Sequence, residues 1–284
     1  MPFVTADGIS THYEVRGDGP PLLMFSPGGF DARLENWSSF SLYARLGLLE
    51  SLEQRYTCIL FDRRESGRSA GRVQRLGWPD YVAQAVGLLD ALDVESAHLM
   101  GGCVGCSSAV ALAVARPARV RSLVLYSPAG GPRYRMKQYE RFAAHAAFVA
   151  EHGLAAVVER ARTHDDGFST DPAVGPWVAW LRADVDAAAA YAQLDRTAYL
   201  TALTGSARLL FDRDTVPGFE PEDLLASAVP ALIVPGQDTS HAPSAARYLQ
   251  ECLPHAQYWD VPVAEQTSET APARVRAFLD ALPA

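Results

Sequence analysis

The stretch LMGGCVGCSSAV, Leu99 to Val110, carries an apolar run into a knot of glycines and out into a helical pattern. At its tightest point stands Cys103, flanked by Gly101-Gly102 and Gly105. A sharp strand-to-helix turn needs small neighbours, because its central residue is held in a strained conformation and its flanks pack closely. Gly-x-Cys-x-Gly in this setting predicts a thiol lifted above the end of a strand, where helix amides favour an anion. Three roles are open to that thiol: a nucleophile, half of a redox pair with Cys106, or a small packing residue.

The chain around it alternates short apolar runs with helical patterns. After an N-terminal strand pair (FVTADGISTHYEV) come PLLMFSPGG, CILFD, SAHLMGG, SLVLYSP, ALIVPGQD and QYWDV. Each has the length of a buried strand. Helical patterns fill the gaps, at residues 39–54, YVAQAVGLLDAL, SSAVALAVA, SAARYLQECL and PARVRAFLDAL. This alternation predicts an α/β fold: a mostly parallel twisted sheet flanked by helices. Between about Gly130 and Ser227 no strand is evident, and Ala-rich segments with aromatics on one face predict an inserted helical cap. The expected organisation is therefore a core of residues 1–129 and 228–284, with residues 130–227 as the cap.

Composition narrows the function. At 284 residues, with 49% apolar and 20% charged, the chain can bury a large core without staples. A net charge of −8 and the lack of any long Lys/Arg block argue against nucleic acid, which leaves a small-molecule substrate. No apolar run approaches the roughly 18 residues a membrane span requires, and the N-terminus has no signal-peptide pattern, so a cytoplasmic location without membrane association is expected. A homodimer through an edge strand is allowed but not required.

The four cysteines, Cys58, Cys103, Cys106 and Cys252, are too scattered for a disulfide framework. Cys58 and Cys252 fall in strand and helix patterns and read as packing residues. Cys103-Val104-Gly105-Cys106 has dithiol spacing, but Cys106 is expected to point between helix and sheet. Zinc is disfavoured because no second ligand pair is spaced to match. No metal or organic cofactor is implied.

With the glycine knot in place, the chain resembles the α/β-hydrolase family over nearly its whole length. FSPGGF after the third strand looks like the oxyanion loop, FDRRESGRS (Phe61 to Ser69) looks like the Asp-x-x-x-x-Gly-x-Ser turn, and VPGQD looks like the site of the acid. The resemblance implies Cys103 as nucleophile and Asp238 as the acid that orients a base. It also implies an oxyanion hole from the Val104 N–H, with Phe30 or Gly29 supplying the second donor.

One part of the pattern is missing. The family places its histidine in the loop after the last strand, and here that loop reads VPVAEQTSET, with Glu265 and Gln266 in the slot. His255 precedes the last strand and lies on the order of 15 Å from its far end. His241 is on the correct edge but only three residues from Asp238, which suits a turn as well as a base. His145 and His152, seven apart on a predicted cap helix, share a face; His12, His98 and His164 have no positional argument. A carboxylate in an apolar cleft can also exchange protons near neutrality, which makes Glu265 a further candidate.

These readings converge on an enzyme that attacks an activated carbonyl of a small apolar substrate (ester, thioester or lactone) through Cys103, by hydrolysis or acyl transfer. Asp238 supports the site, and Glu265 or His241 manages protons. Aromatics of the insertion, Phe148, Trp177, Trp180, Tyr191 and Tyr199, suggest an apolar ligand. Two alternatives stay open: cofactor-free lyase, isomerase or cyclase chemistry in the same cleft, and a ligand-binding protein that has lost catalysis.

Overall fold

The computed structural model describes residues 2–282. Eight strands form one sheet: β1 (Phe3–Ala6), β2 (Ile9–Arg16), β3 (Pro21–Phe25), β4 (Thr57–Phe61), β5 (Ala97–Gly102), β6 (Val120–Tyr126), β7 (Ala231–Val234) and β8 (Ala256–Tyr258). Their spatial order is β1-β2-β4-β3-β5-β6-β7-β8. The β1–β2 and β2–β4 pairs are antiparallel, and every other neighbour is parallel. This is the α/β architecture the alternating pattern predicts, and each apolar run overlaps a strand.

Side-chain alternation divides the strands between two cores. Leu23 and Phe25 of β3 pack with Ile59, Leu99, Leu123 and Ile233 on one face, whereas Leu22 and Met24 pack with Leu60, Met100, Val124 and Leu232 on the other. The first face is covered by α4 (Trp78–Ala91) and α5 (Gly105–Ala115). Before them in the chain, α1 (Asn36–Ser39), α2 (Ser41–Leu46) and α3 (Leu48–Leu52) lie on the second face, where α12 (Thr270–Asp280) joins them. The helix expected over 39–54 is thus split, because Gly47 takes a left-handed φ of 58° that ends one helix and starts the next.

Between β6 and β7 run α6 (Pro132–Thr163), α7 (Val178–Ala183), α8 (Val185–Ala192), α9 (Arg196–Leu210) and α10 (Pro221–Leu225); α11 (Pro243–Cys252) follows β7. No described residue between β6 and β7 is in a strand. The backbone of α6 breaks at Gly153 (φ 78°), and Asp184 separates α7 from α8 while its carboxylate caps the latter through Ala187 N–H at 2.9 Å. The inserted helices dock on the core through Trp177 Nε1, which donates to Arg72 O at 3.0 Å, and through Ser206 Oγ, which accepts from Leu76 N–H at 2.8 Å.

Inside the insertion His145 Nε2 lies 2.6 Å from the Tyr199 hydroxyl, which accepts from Tyr191 Oη at 2.6 Å. Burial lowers the pKa of His145 to about 4, and burial with nearby Arg121 does the same for His98, 2.8 Å from Ser122 Oγ. For both, the unfolded chain binds the extra proton first, so stability is complete above about pH 6.5 and falls as pH drops toward 4. His145→Gln should therefore reduce the stability lost between pH 7 and 4.5 by about 2.5 kcal/mol, measured by urea unfolding at both pH values. A pH dependence equal to that of the parent would contradict the assignment.

Candidate active site

Chemistry-bearing groups gather at the carboxyl ends of the parallel strands, where loops rather than pleated strands set the geometry. Cys103 sits between β5 and α5 with a left-handed φ of 55°. For a non-glycine residue that conformation costs on the order of 1–3 kcal/mol and survives only where the surroundings enforce it. They do so here. A Cβ on Gly101 would lie 2.5 Å from Cys106 N, and one on Gly105 would lie 2.2 Å from Phe25 O, so neither position admits another residue without a shift. Cys103 N–H donates to Tyr126 O at 3.1 Å, and Cys103 O accepts from Ala129 N–H at 3.2 Å.

The second cysteine of the CVGC stretch turns away, as expected. Cys106 is fully buried, its thiol lies 3.1 Å from Gly101 O, and desolvation holds its pKa well above the ordinary thiol value. Burial pushes Cys58 up to about 12 and raises Cys252 as well. All four thiols are free, and only Cys103 is half-buried rather than buried.

After β7, Asp238 closes a tight turn. Its Oδ1 accepts from Ser240 N–H at 2.8 Å and from His241 N–H at 3.1 Å, an Asx-type turn that curls the chain back on itself. The curl brings His241 Nδ1 to 2.9 Å from Oδ1 and 2.8 Å from Oδ2. Behind the ring, a Cβ on Gly236 would sit 2.3 Å from His241 Cβ. The opposite ring atom, Nε2, is buried and makes no hydrogen bond of ordinary length within the protein. Burial alone would lower the His241 pKa, but the neighbouring Cys103 sulfur and the Asp238 carboxylate outweigh it and raise the value to about 9. Asp238 itself is lowered, since its bonds to His241 and Ser240 outweigh its partial burial. Its side chain remains 64% exposed, unlike an acid sealed in a core.

Glu265 is not part of this cluster. It ends a short 3-10 turn, Val263–Glu265, and is exposed, whereas Val263 and Ala264 line the cleft. Gln266 is fully buried: its Oε1 accepts from the Tyr126 hydroxyl, its Nε2 donates to Val261 O at 2.8 Å, and its carbonyl accepts from Arg45. The slot after β8 is therefore filled by a locked carboxamide. His145 is enclosed within the inserted helices and His152 is exposed beside Glu151, so neither faces the cleft. His12 is buried against Asp62 at 2.9 Å, and His255 precedes β8 at the far end of the sheet.

The oxyanion-loop candidates are held from below by the turn after β4. Asp62 accepts from Leu34 N–H at 2.8 Å, Ser66 Oγ accepts from Ala32 N–H at 3.2 Å and donates to Phe30 O at 3.2 Å, and Arg63 donates to Gly29 O. With the Gly29 carbonyl turned toward Arg63, the Phe30 N–H of the same trans peptide points the other way. Among the described residues, the N–H groups of Phe30 and Val104 donate to no backbone acceptor.

A cleft of about 800 Å³ opens over Cys103 and His241. Pro27 to Gly29, Ser39 to Tyr43, Ser127, Gly236 to Asp238, Val263 and Ala264 complete its wall. On the other side, the ring of Phe30 packs edge-on to Phe142 and Phe168 at 5.4 Å each, and the space bounded by Phe30, Val104, Tyr134 and Phe211 measures only about 10 Å³. The aromatics proposed to meet a ligand do not line the cleft: Trp177, Tyr191 and Tyr199 are buried among the inserted helices, Trp180 packs half-buried against the same core, and Phe148 packs at a tilt on His152. The apolar wall comes instead from Phe40, Leu42, Val263 and Ala264.

With strand order, elbow and acid turn of this kind, residues 21–268 match the family described as the alpha/beta hydrolase fold, and the chain belongs to that family. It is 34% identical over 131 residues to the 2-hydroxymuconate semialdehyde hydrolase of Pseudomonas sp. strain CF600, covering 45% of this chain and 43% of that protein. It is 31% identical over 128 residues to the dihydrolipoyllysine-residue acetyltransferase component of the acetoin cleaving system of Cupriavidus necator, covering 45% of this chain and 32% of the relative. The alignments thus span less than half the length of these relatives. The enol-lactonase from Burkholderia xenovorans LB400 shares the fold with a TM-score of 0.59 at 20% identity, over 98% of this chain and 97% of that one. No described helix is long and apolar enough to cross a membrane.

Iodoacetamide at pH 7 should alkylate Cys103 well before Cys58, Cys106 or Cys252, as mapped by peptide mass spectrometry, because the other three are buried with raised pKa values. His241→Ala should slow the Cys103 reaction roughly tenfold by removing the imidazole beside the sulfur. Equal rates for the four cysteines would contradict this arrangement.

Proposed function

We propose that this protein is a hydrolase that opens an activated carbonyl, an ester, thioester or lactone, through a Cys103-His241-Asp238 triad whose base follows β7 rather than β8. The observation that carries this reading is the His241 ring: Nδ1 on both oxygens of Asp238, Nε2 buried on the cleft side, and a pKa raised by the sulfur of Cys103. That is the nucleophile–base–orienter chain of covalent catalysis, and such contacts often shorten only when substrate binds.

In this mechanism the Cys103 thiolate attacks the carbonyl carbon and forms a C–S bond, while the carbonyl oxygen takes the negative charge. The N–H groups of Val104 and of Phe30 or Gly29 stabilise that oxyanion. As the intermediate collapses, the leaving group departs with the proton of the His241 imidazolium, leaving a thioester on Cys103 and a neutral imidazole. Neutral His241 then takes a proton from water as its oxygen attacks the thioester. The C–S bond breaks, the acid is released, and the thiolate–imidazolium pair is restored. A thiolate eases the first half of this cycle, but the second half needs a base, and His241 supplies it.

The relatives and the structural neighbour, a semialdehyde hydrolase, an acetyltransferase component and an enol-lactonase, support carbonyl chemistry as the reaction class. The mixed apolar and polar wall of the cleft suits a small acyl group, with residues 130–227 capping the side that Phe30 seals.

Intact-mass spectrometry during turnover of activated aryl esters tests the proposal. The parent should carry one acyl group, Cys103→Ala none, and His241→Ala should lower kcat/KM by 10²–10⁴. Gln266→His in the His241→Ala background should restore no activity, since that slot is tied to Tyr126 and Arg45. No adduct with any acyl donor would overturn the nucleophile and favour non-hydrolytic or binding roles.

A further inference from the structure

In the wall of the catalytic cleft the buried hydroxyl of Ser127 makes no hydrogen bond among the described residues, and His241 Nε2, beside the Cys103 sulfur, makes none of ordinary length. Ser127 is only 2% exposed, and a buried hydroxyl without a partner costs about 1–3 kcal/mol. It also adopts a left-handed φ of 51°, a second cost for a residue with a Cβ. A glycine at this position would remove both costs.

The backbone shows where this hydroxyl stands. The segment after β6 stitches the nucleophile turn to the histidine turn: Tyr126 O accepts from Cys103 N–H, Ala129 N–H donates to Cys103 O, and Gly130 N–H donates to Ser240 O at 3.0 Å. Gly130 also pairs with His241 in a parallel bridge, and Ser127 N–H is fixed to Val234 O at 2.8 Å at the end of β7. Ser127 is thus held midway along a segment that touches both turns.

We infer that Ser127 is a positioning residue for the second half-reaction: its hydroxyl, together with His241 Nε2, holds the water that attacks the Cys103 thioester. The inference rests on the acyl-enzyme reading above. One O–H of the water points to Nε2, which takes that proton, and the other donates to Ser127 Oγ. The oxygen lone pair is thereby aimed at the acyl carbon, so that C–O forms as C–S breaks. Attack by the thiolate in the first half-reaction involves no water and does not use the hydroxyl.

Stopped-flow release of p-nitrophenol from p-nitrophenyl acetate, paired with the intact mass of the acyl adduct, separates the two halves. Ser127→Ala and Ser127→Gly should keep the burst within about twofold of the parent and lengthen the life of the adduct roughly tenfold, the value of one hydrogen bond lost from a transition state. Ser127→Gly favours the observed φ, so a folding defect cannot account for its slow release. Release at the parental rate in Ser127→Gly would overturn the inference, as would burst and release falling together. A parent with no burst would instead overturn the acyl-enzyme reading itself, and this inference with it.

Discussion

Everything at the site depends on the backbone turn at Cys103. Its left-handed φ is enforced by contacts that leave no room for a Cβ at Gly101 or Gly105, and its N–H and carbonyl are both tied to the segment leaving β6. That segment continues to Gly130, which pairs with His241. The sheet thus fixes Cys103 and His241 relative to one another through three neighbouring parallel strands, β5, β6 and β7. Rigid elements of this kind hold a catalytic pair better than two independent loops.

The same strands account for what fills the loop after β8. Gln266 is a structural member there, joined to Tyr126 by its carboxamide and to Arg45 by its carbonyl. Tyr126 in turn presents its carbonyl to Cys103 N–H, so the residue filling that loop is built into the support of Cys103. His241 reaches Asp238 through a three-residue turn, a local contact formed with little loop-closure entropy. Its consequence is an exposed acid, Asp238, whose hold on the imidazole is more open to solvent and salt than a buried carboxylate would be.

The fold was legible because buried parallel strands read as short apolar runs and each met its partner in the sheet. Cys103 was legible because close backbone packing demands glycine at fixed offsets. Helix boundaries near Gly47, Gly153 and Asp184 were less so, since tertiary contacts decide whether a break falls inside a periodic stretch. His241 stood among the candidates, but nothing in a linear reading separates Asp-x-x-His as a solvated turn from Asp-x-x-His curled by an Asx turn. Glu265 had the right place in the chain, but that it stands exposed there was decided by the fold. Ser127 carried no signal at all, because an orphaned hydroxyl exists only once the fold has buried it.

The coupling of Cys103 to His241 is the central claim, and nitrogen-15 NMR of the histidine rings measures it most directly. In the parent, the His241 imidazole should titrate near 9, and in Cys103→Ala its pKa should fall back toward the ordinary histidine value, because the sulfur is a principal cause of the rise. A ring that titrates at the ordinary value in the parent, or that keeps its raised pKa when the sulfur is removed, would contradict the account.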